Sequence, residues 1–149
     1  MILEEKLKRA IFQHGDYFVM EMPADEEFLR AEGIAMGHCL QSDFNQYVAR
    51  MRLGRQRQFS LVDSRTGEPQ VNIELSLTHS SYAGRVRYPV ITQIRGHRNQ
   101  CPPADKFLPA VVTFLEENRL CYAGHGVPNF DGLCDGDRVR ARWLELERE

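Results

Sequence analysis

Residues 69–77 read PQVNIELSL, and their alternation decides the fold. Val71, Ile73, Leu75 and Leu77 fall on one side of an extended chain, and Gln70, Asn72, Glu74 and Ser76 on the other. A period of two belongs to a strand with one face against a core. Upstream, the polar, glycine-bearing stretch 64–68 suits a hairpin loop, and 58–63 reads as the partner strand. Downstream, 79–84 reads as a second turn and 85–95 as a third strand. On that strand Val90, Thr92 and Ile94 are expected on one face and Ile91, Gln93 and Arg95 on the other. Three strands joined by short turns make an antiparallel meander.

The flanking segments read mostly as helices. Leu3, Leu7, Ala10 and Ile11 recur at helical spacing and predict an amphipathic helix over 1–12. The apolar run 17–22 predicts a further strand. Residues 23–27 are a helix-start signal, with Gly33 expected to bend or end that helix. A helix over 44–53 would turn Phe44, Tyr47, Val48 and Met51 inward and stop at Gly54. Another, over 103–119, carries the broad stripe Phe107, Leu108, Val111, Val112, Phe114 and Leu115. It should cover the apolar face of Val71, Ile73, Leu75, Val90 and Ile94. Gly- and Asp-rich 121–136 reads as loop, and 137–148 as a last helix facing inward through Val139, Trp143 and Leu146. The expectation is one α+β domain over 1–149, a small antiparallel meander with helices packed mainly on one face.

Composition bounds the function. The chain has 149 residues, 42% hydrophobic and 27% charged, a globular balance. A net charge of −2 gives no whole-chain support for non-specific DNA binding. No apolar stretch approaches the roughly 20 residues of a membrane span. The first residues, MILEEKLKRAIFQHG, are charged throughout and hold no signal-peptide core, so a cytoplasmic protein is expected. Cys39, Cys101, Cys121 and Cys134 form no CxxC pair and are expected as free thiols. Two basic runs stand out: Arg50, Arg52, Arg55 and Arg57, then Arg85, Arg87, Arg95, His97 and Arg98. They suit a solvated surface or a phosphate-contacting face. On the second reading Arg50, Arg52, Arg55, Arg57, Arg95 and Arg98 are the nucleic-acid candidates.

Four features could carry chemistry: the pair His38-Cys39, Glu74 beside Asn72, Gln93 on the next strand, and Gly96-x-x-Asn99 in the turn after it. A cysteine nucleophile needs a base within hydrogen-bond reach. Adjacent residues on one helix point about 100° apart, so His38 serves Cys39 poorly and His97 would have to substitute. The alternative is a small buried thiol. His38, Cys39, His97 and Cys101 could in principle hold zinc, but without a CxxC the signal is weak, and no metal or cofactor is expected. The deaminase signature, the phosphate loop and the Gly-x-Ser-x-Gly elbow are absent. Residues 131–137 lack the ligand alternation of a calcium loop. Gln93 and Asn99 could contact a substrate or brace a turn.

Several of these residues also fall into a pattern. In order along the chain stand Glu32-Gly33-x-x-Met36-x-His38-Cys39-Leu40, then Tyr47 and Gly54, then Phe59-Ser60-Leu61. Asn72-Ile73-Glu74 and Gln93-Ile94-Arg95-Gly96-x-x-Asn99 with Pro102 complete it. Over about 29–118 this order and spacing resemble the PcfJ-like family of plasmids and phages. Leu40 stands where the family usually has Val, and Asn72 where it often has Thr. The resemblance implies a mobile-element context and no known reaction. Two functions follow as expectations. One is an accessory or regulatory binding protein with a protein or nucleic-acid partner. The other is a small enzyme with His38, Cys39, Glu74, Gln93 and Asn99 as its catalytic candidates. In either case His38, Gln93 and Asn99 are expected to converge in space.

Overall fold

A computed structural model of the chain describes residues 1–38, 40–77, 89–118 and 135–149. Five strands form one antiparallel sheet whose spatial order is the chain order: β1 (Ala10–His14), β2 (Tyr17–Glu21), β3 (Gln56–Asp63), β4 (Pro69–Ser76) and β5 (Val90–Arg95). The helices are α1 (Leu3–Lys8), α2 (Glu26–Met36), α3 (Leu40–Arg52), α4 (Leu108–Glu117) and α5 (Gly136–Arg148). The α+β class and the meander stand as expected.

The alternation of β4 places Val71, Ile73 and Leu75 in one cluster with Val19, Phe59, Leu61, Ile91 and Ile94, all fully buried. α4 covers this face through Leu108, Val111, Phe114 and Leu115, and α5 adds Val139 and Trp143. Phe114 stacks edge-on to Phe12 and tilts against Phe59, with centroids 5.6 and 5.5 Å away. Arg142 of α5 donates to both carboxylate oxygens of Asp105, at 3.0 and 2.8 Å.

Helices do not keep to that face. Phe18 and Met20, the alternate residues of β2, bury with Phe28, Leu29, Leu40, Tyr47 and Val48 of α2 and α3. The expectation of helices mainly on one face is therefore corrected to helices on both. The physical reason is that β2 is apolar on both sides, so each side needs a cover.

Other departures are local. The N-terminal helix stops at Lys8, and 10–14 form the edge strand β1. Ala10, Ile11 and Phe12 satisfy either period, and pairing with β2 selects the extended one. α2 passes through Gly33 and ends at Gly37, whose φ of 67° is left-handed. Gly33 is a point of contact: a Cβ there would lie 2.0 Å from the Gln41 nitrogen. On β5 the register slips between Glu74 and Leu75 of β4, which pair with Gln93 and Ile91. Thr92 bulges, so Ile91 rejoins Ile94 in the core and Thr92 turns to the opposite side, reversing the phase expected for both. The start expected for that strand at 85–88, and the loop expected over 121–134, lie outside the described residues.

Candidate functional site

The sheet face under α2 and α3 is polar where the opposite face is apolar. Gln56, Gln58, Ser60 and Asn72 are all buried on it. A buried amide or carboxyl must find partners or cost several kcal/mol, roughly, and these groups build two networks.

The first network begins at Glu32 on α2. Asn72 Nδ2 donates to Glu32 Oε2 at 2.8 Å. Asn72 Oδ1 lies 2.6 Å from His38 Nε2. Because the Asn72 oxygen can only accept, His38 carries its proton on Nε2 and donates. His38 Nδ1 is then free to accept from the Leu40 N–H, at a long 3.4 Å, at the start of α3. Both ring nitrogens are thereby engaged in tying the α2–α3 turn to β4. Burial, the largest influence, holds the His38 pKa below its usual value, and nearby His97 and Arg95 push the same way. Burial likewise raises the Glu32 carboxyl above its usual value, against the opposing pull of Ser60, Asn72 and Lys6. Ser60 Oγ lies near that carboxyl but, among the described residues, outside hydrogen-bond geometry with any partner.

The second network centres on Glu74. Gln58 Nε2 donates to Glu74 Oε1 at 2.9 Å and to Gln56 Oε1 at 2.7 Å. Thr92 Oγ1 donates to Glu74 Oε2 at 2.5 Å, a contact made possible by the bulge.

Between the two networks lies a cleft. Its walls are His38, Leu40, Tyr47, Gln58, Asn72, Glu74, Gln93, Arg95 and Asn99. It is narrow, about 280 Å³ counting the solvent at its mouth, with room inside for about one water-sized molecule. His38, Gln93 and Asn99 thus line one space although their segments are far apart in the chain. Among the described residues, neither the Gln93 nor the Asn99 side-chain amide has a hydrogen-bond partner. They are the open polar groups of the wall.

The turn that presents Asn99 is constrained. Arg98 and Asn99 have φ of 57° and 60°. Asn tolerates the left-handed region; two such residues in succession are costly unless the surroundings fix them. Gly96 N–H donates to the Gln100 carbonyl at 2.8 Å, and a Cβ on Gly96 would meet Pro103 at 3.2 Å. Arg95 Nη1 reaches the Asn99 carbonyl at 3.4 Å. Arg95 Nε also pairs with Asp135 at 3.0 Å, off the line of a good hydrogen bond.

The other candidates are placed as follows. Cys39 lies outside the described residues, as do Arg85, Arg87, Cys121 and Cys134. Cys101 is a half-buried free thiol whose pKa is raised, by burial first and by Asp135 second, which keeps it protonated. His97 is exposed, 3.2 Å from Gln70 Oε1. Among the described residues, no three His, Cys, Asp or Glu side chains group as a metal site. Of the six arginines, Arg50, Arg52, Arg55 and Arg98 are exposed. Arg57 is tied to Glu21 through both its Nε and Nη2, and Arg95 to Asp135, so these two serve the fold first. Arg50 and Arg52 stand near the C-terminal end of α3, and the Arg50 guanidinium lies over the ring of Tyr47, a wall of the cleft, 5.6 Å from its centroid. Two of the six are thus committed to ion pairs within the fold.

Gln58, Tyr47 and Glu32 were not among the candidate site residues. Gln58 and Ser60 fall on alternate positions of β3 between Phe59 and Leu61. That polar parity was the available signal. Comparison with protein-family models, with curated proteins and with solved structures gives no match to this chain.

Proposed function

We propose that the chain is a PcfJ-like binding domain, an accessory or regulatory protein of a plasmid or phage, and that the cleft at Gln93 and Asn99 is where it holds its partner. One observation carries this reading. Glu32, His38, Tyr47, Asn72, Glu74, Gln93 and Asn99, scattered in the pattern that resembles the family, gather around one space or bind the groups that line it. Binding is favoured over catalysis because His38 is engaged at both nitrogens and Glu74 at both oxygens. What is left open is a pair of carboxamides, which recognise groups but neither accept nor release protons near neutral pH.

A thermal-shift panel of nucleosides, nucleotides, amino acids and peptide amides tests the reading. The native chain is compared with a double variant, Gln93→Ala with Asn99→Gly; glycine keeps the left-handed backbone at 99 unstrained. At least one compound should raise the native Tm by a few degrees and leave the variant unmoved. A shift that survives in the variant places binding elsewhere, and a panel with no shift removes the cleft as a binding site.

The second reading is a small enzyme. It draws on Glu74, the carboxylate that lines the cleft. There Glu74→Gln would abolish turnover of any compound the panel finds, whereas a binding cleft would leave every compound unchanged.

A further inference from the structure

The electrostatics of the mouth say more about the occupant than the walls do. Glu74, the carboxylate lining the cleft, already accepts one hydrogen bond on each oxygen. Glu32 is buried behind Asn72. Arg98 is exposed on the loop that carries Asn99, and its Cγ lies 3.5 Å from where a Cβ of Gly37 would be, so it sits against the α2–α3 turn at the rim. It has no ion-pair partner among the described residues. His97 is exposed beside it. The rim therefore carries one guanidinium, and the open groups at the mouth are neutral amides.

We propose, resting on the reading of the cleft as a binding site, that it takes a single unpaired nucleotide, whose base edge meets Gln93 and Asn99 and whose phosphate meets Arg98. The chemistry matches at both ends. A carboxamide presents a donor and an acceptor side by side, the arrangement that pairs with a base edge. A free guanidinium at the rim suits a phosphate. The narrow interior admits an edge and no whole ring, so the base approaches edge-on, and a paired base has that edge shielded or turned away. A net charge of −2 argues against a long phosphate track. The unit recognised is one nucleotide, free or at an unpaired position.

The side-chain amide signals of Gln93 and Asn99 in a ¹⁵N-labelled sample report occupancy directly. Nucleoside monophosphates should move both signals, and the matching nucleosides should move them with weaker affinity. Arg98→Ala should weaken the monophosphate by about tenfold, the size of one charge-assisted hydrogen bond, and leave the nucleoside unchanged. Gln93→Ala should level the affinities of the four bases. If an acidic peptide moves the two signals and nucleotides do not, the nucleotide is overturned while the binding cleft stands. The same holds if monophosphates bind Arg98→Ala as tightly as the native chain. If nothing moves the signals, inference and cleft fall together.

Discussion

The two faces of the sheet are built from the same strands and differ in what they ask of their helices. Under α4 and α5, successive inward residues are apolar, and burial is the main force that holds the layers. Under α2 and α3, apolar packing is confined to β2 and its neighbours. Towards β4 and β5 it gives way to Gln58, Ser60, Asn72 and Glu74, held by hydrogen bonds of definite direction. An apolar layer tolerates small shifts; a polar one loses its partners. The difference teaches where the molecule spends stability on shape, and the cleft lies there.

The largest effect that sharpens this contrast belongs to the apolar face. Phe114 is fully buried between Phe12 and Phe59. Phe114→Ala should cost about 3–5 kcal/mol in chemical denaturation. A loss under about 1 kcal/mol would show that α4 is a loose cover.

Next comes Gly33→Ala on the polar side. The added Cβ meets the backbone of α3, which no rotamer change relieves. The loss should reach about 3 kcal/mol, the upper range of overpacking. The displacement should also change the His38 ring signals in NMR. A native-like Tm would mean that the α2–α3 contact is looser than its geometry.

Asn72→Ala is a smaller break. It leaves the His38 N–H and the Glu32 carboxyl without their shared partner, a cost of about 1–3 kcal/mol. Asn72→Asp should not rescue it, since aspartate has no N–H to donate to the Glu32 carboxyl.

Glu32→Gln should have the smallest effect, and its sign depends on pH. The folded protein holds the Glu32 proton above the usual pKa of 4.5. As pH rises from about 4.5 to the folded pKa, the unfolded chain ionises and the native one does not, so native stability falls across that window. Glutamine cannot ionise and retains an oxygen for Asn72. The variant should therefore gain on the native protein as pH rises above about 4.5, read as the difference in denaturation midpoints. Parallel curves would place Glu32 in a less costly site. His38, held below its usual 6.5, works in the other direction: native stability falls as pH drops below about 6.5. That fall is common to both proteins and largely cancels in the difference.

The contrast between the faces was partly legible in the sequence. Val71 to Leu75 alternate so cleanly that the core face and its cover, α4, followed directly. The same parity put Asn72 and Glu74 on the other side, though not what they bind. The packing of β2 was hidden because Phe18, Val19 and Met20 form one apolar run, which does not say which residue faces which layer. The bulge at Thr92 depends on pairing with β4 and has no local signal, so the phase of β5 was misread. Gly33 looked like a helix breaker because a glycine needed for close approach and one needed for a turn look alike in a sequence. For the site, polar residues off the apolar phase marked Gln93, and the turn after β5 marked Asn99. The engagement of His38 at both nitrogens required three-dimensional neighbours from β4 and α3.

The sheet's spatial order, identical to its chain order, bears on how the molecule forms. The β3–β4 hairpin closes over a short loop and has the lowest closure entropy of the central pairings. β2 must wait for the whole α2–α3 excursion before it meets β3. The cleft needs residues from 32–38 and from 93–99 at once, so during synthesis it is the late feature, complete only when β5 has docked on β4. Until then Asn72 and Glu74 lie on an open edge strand, and their polarity guards that edge against pairing with another chain.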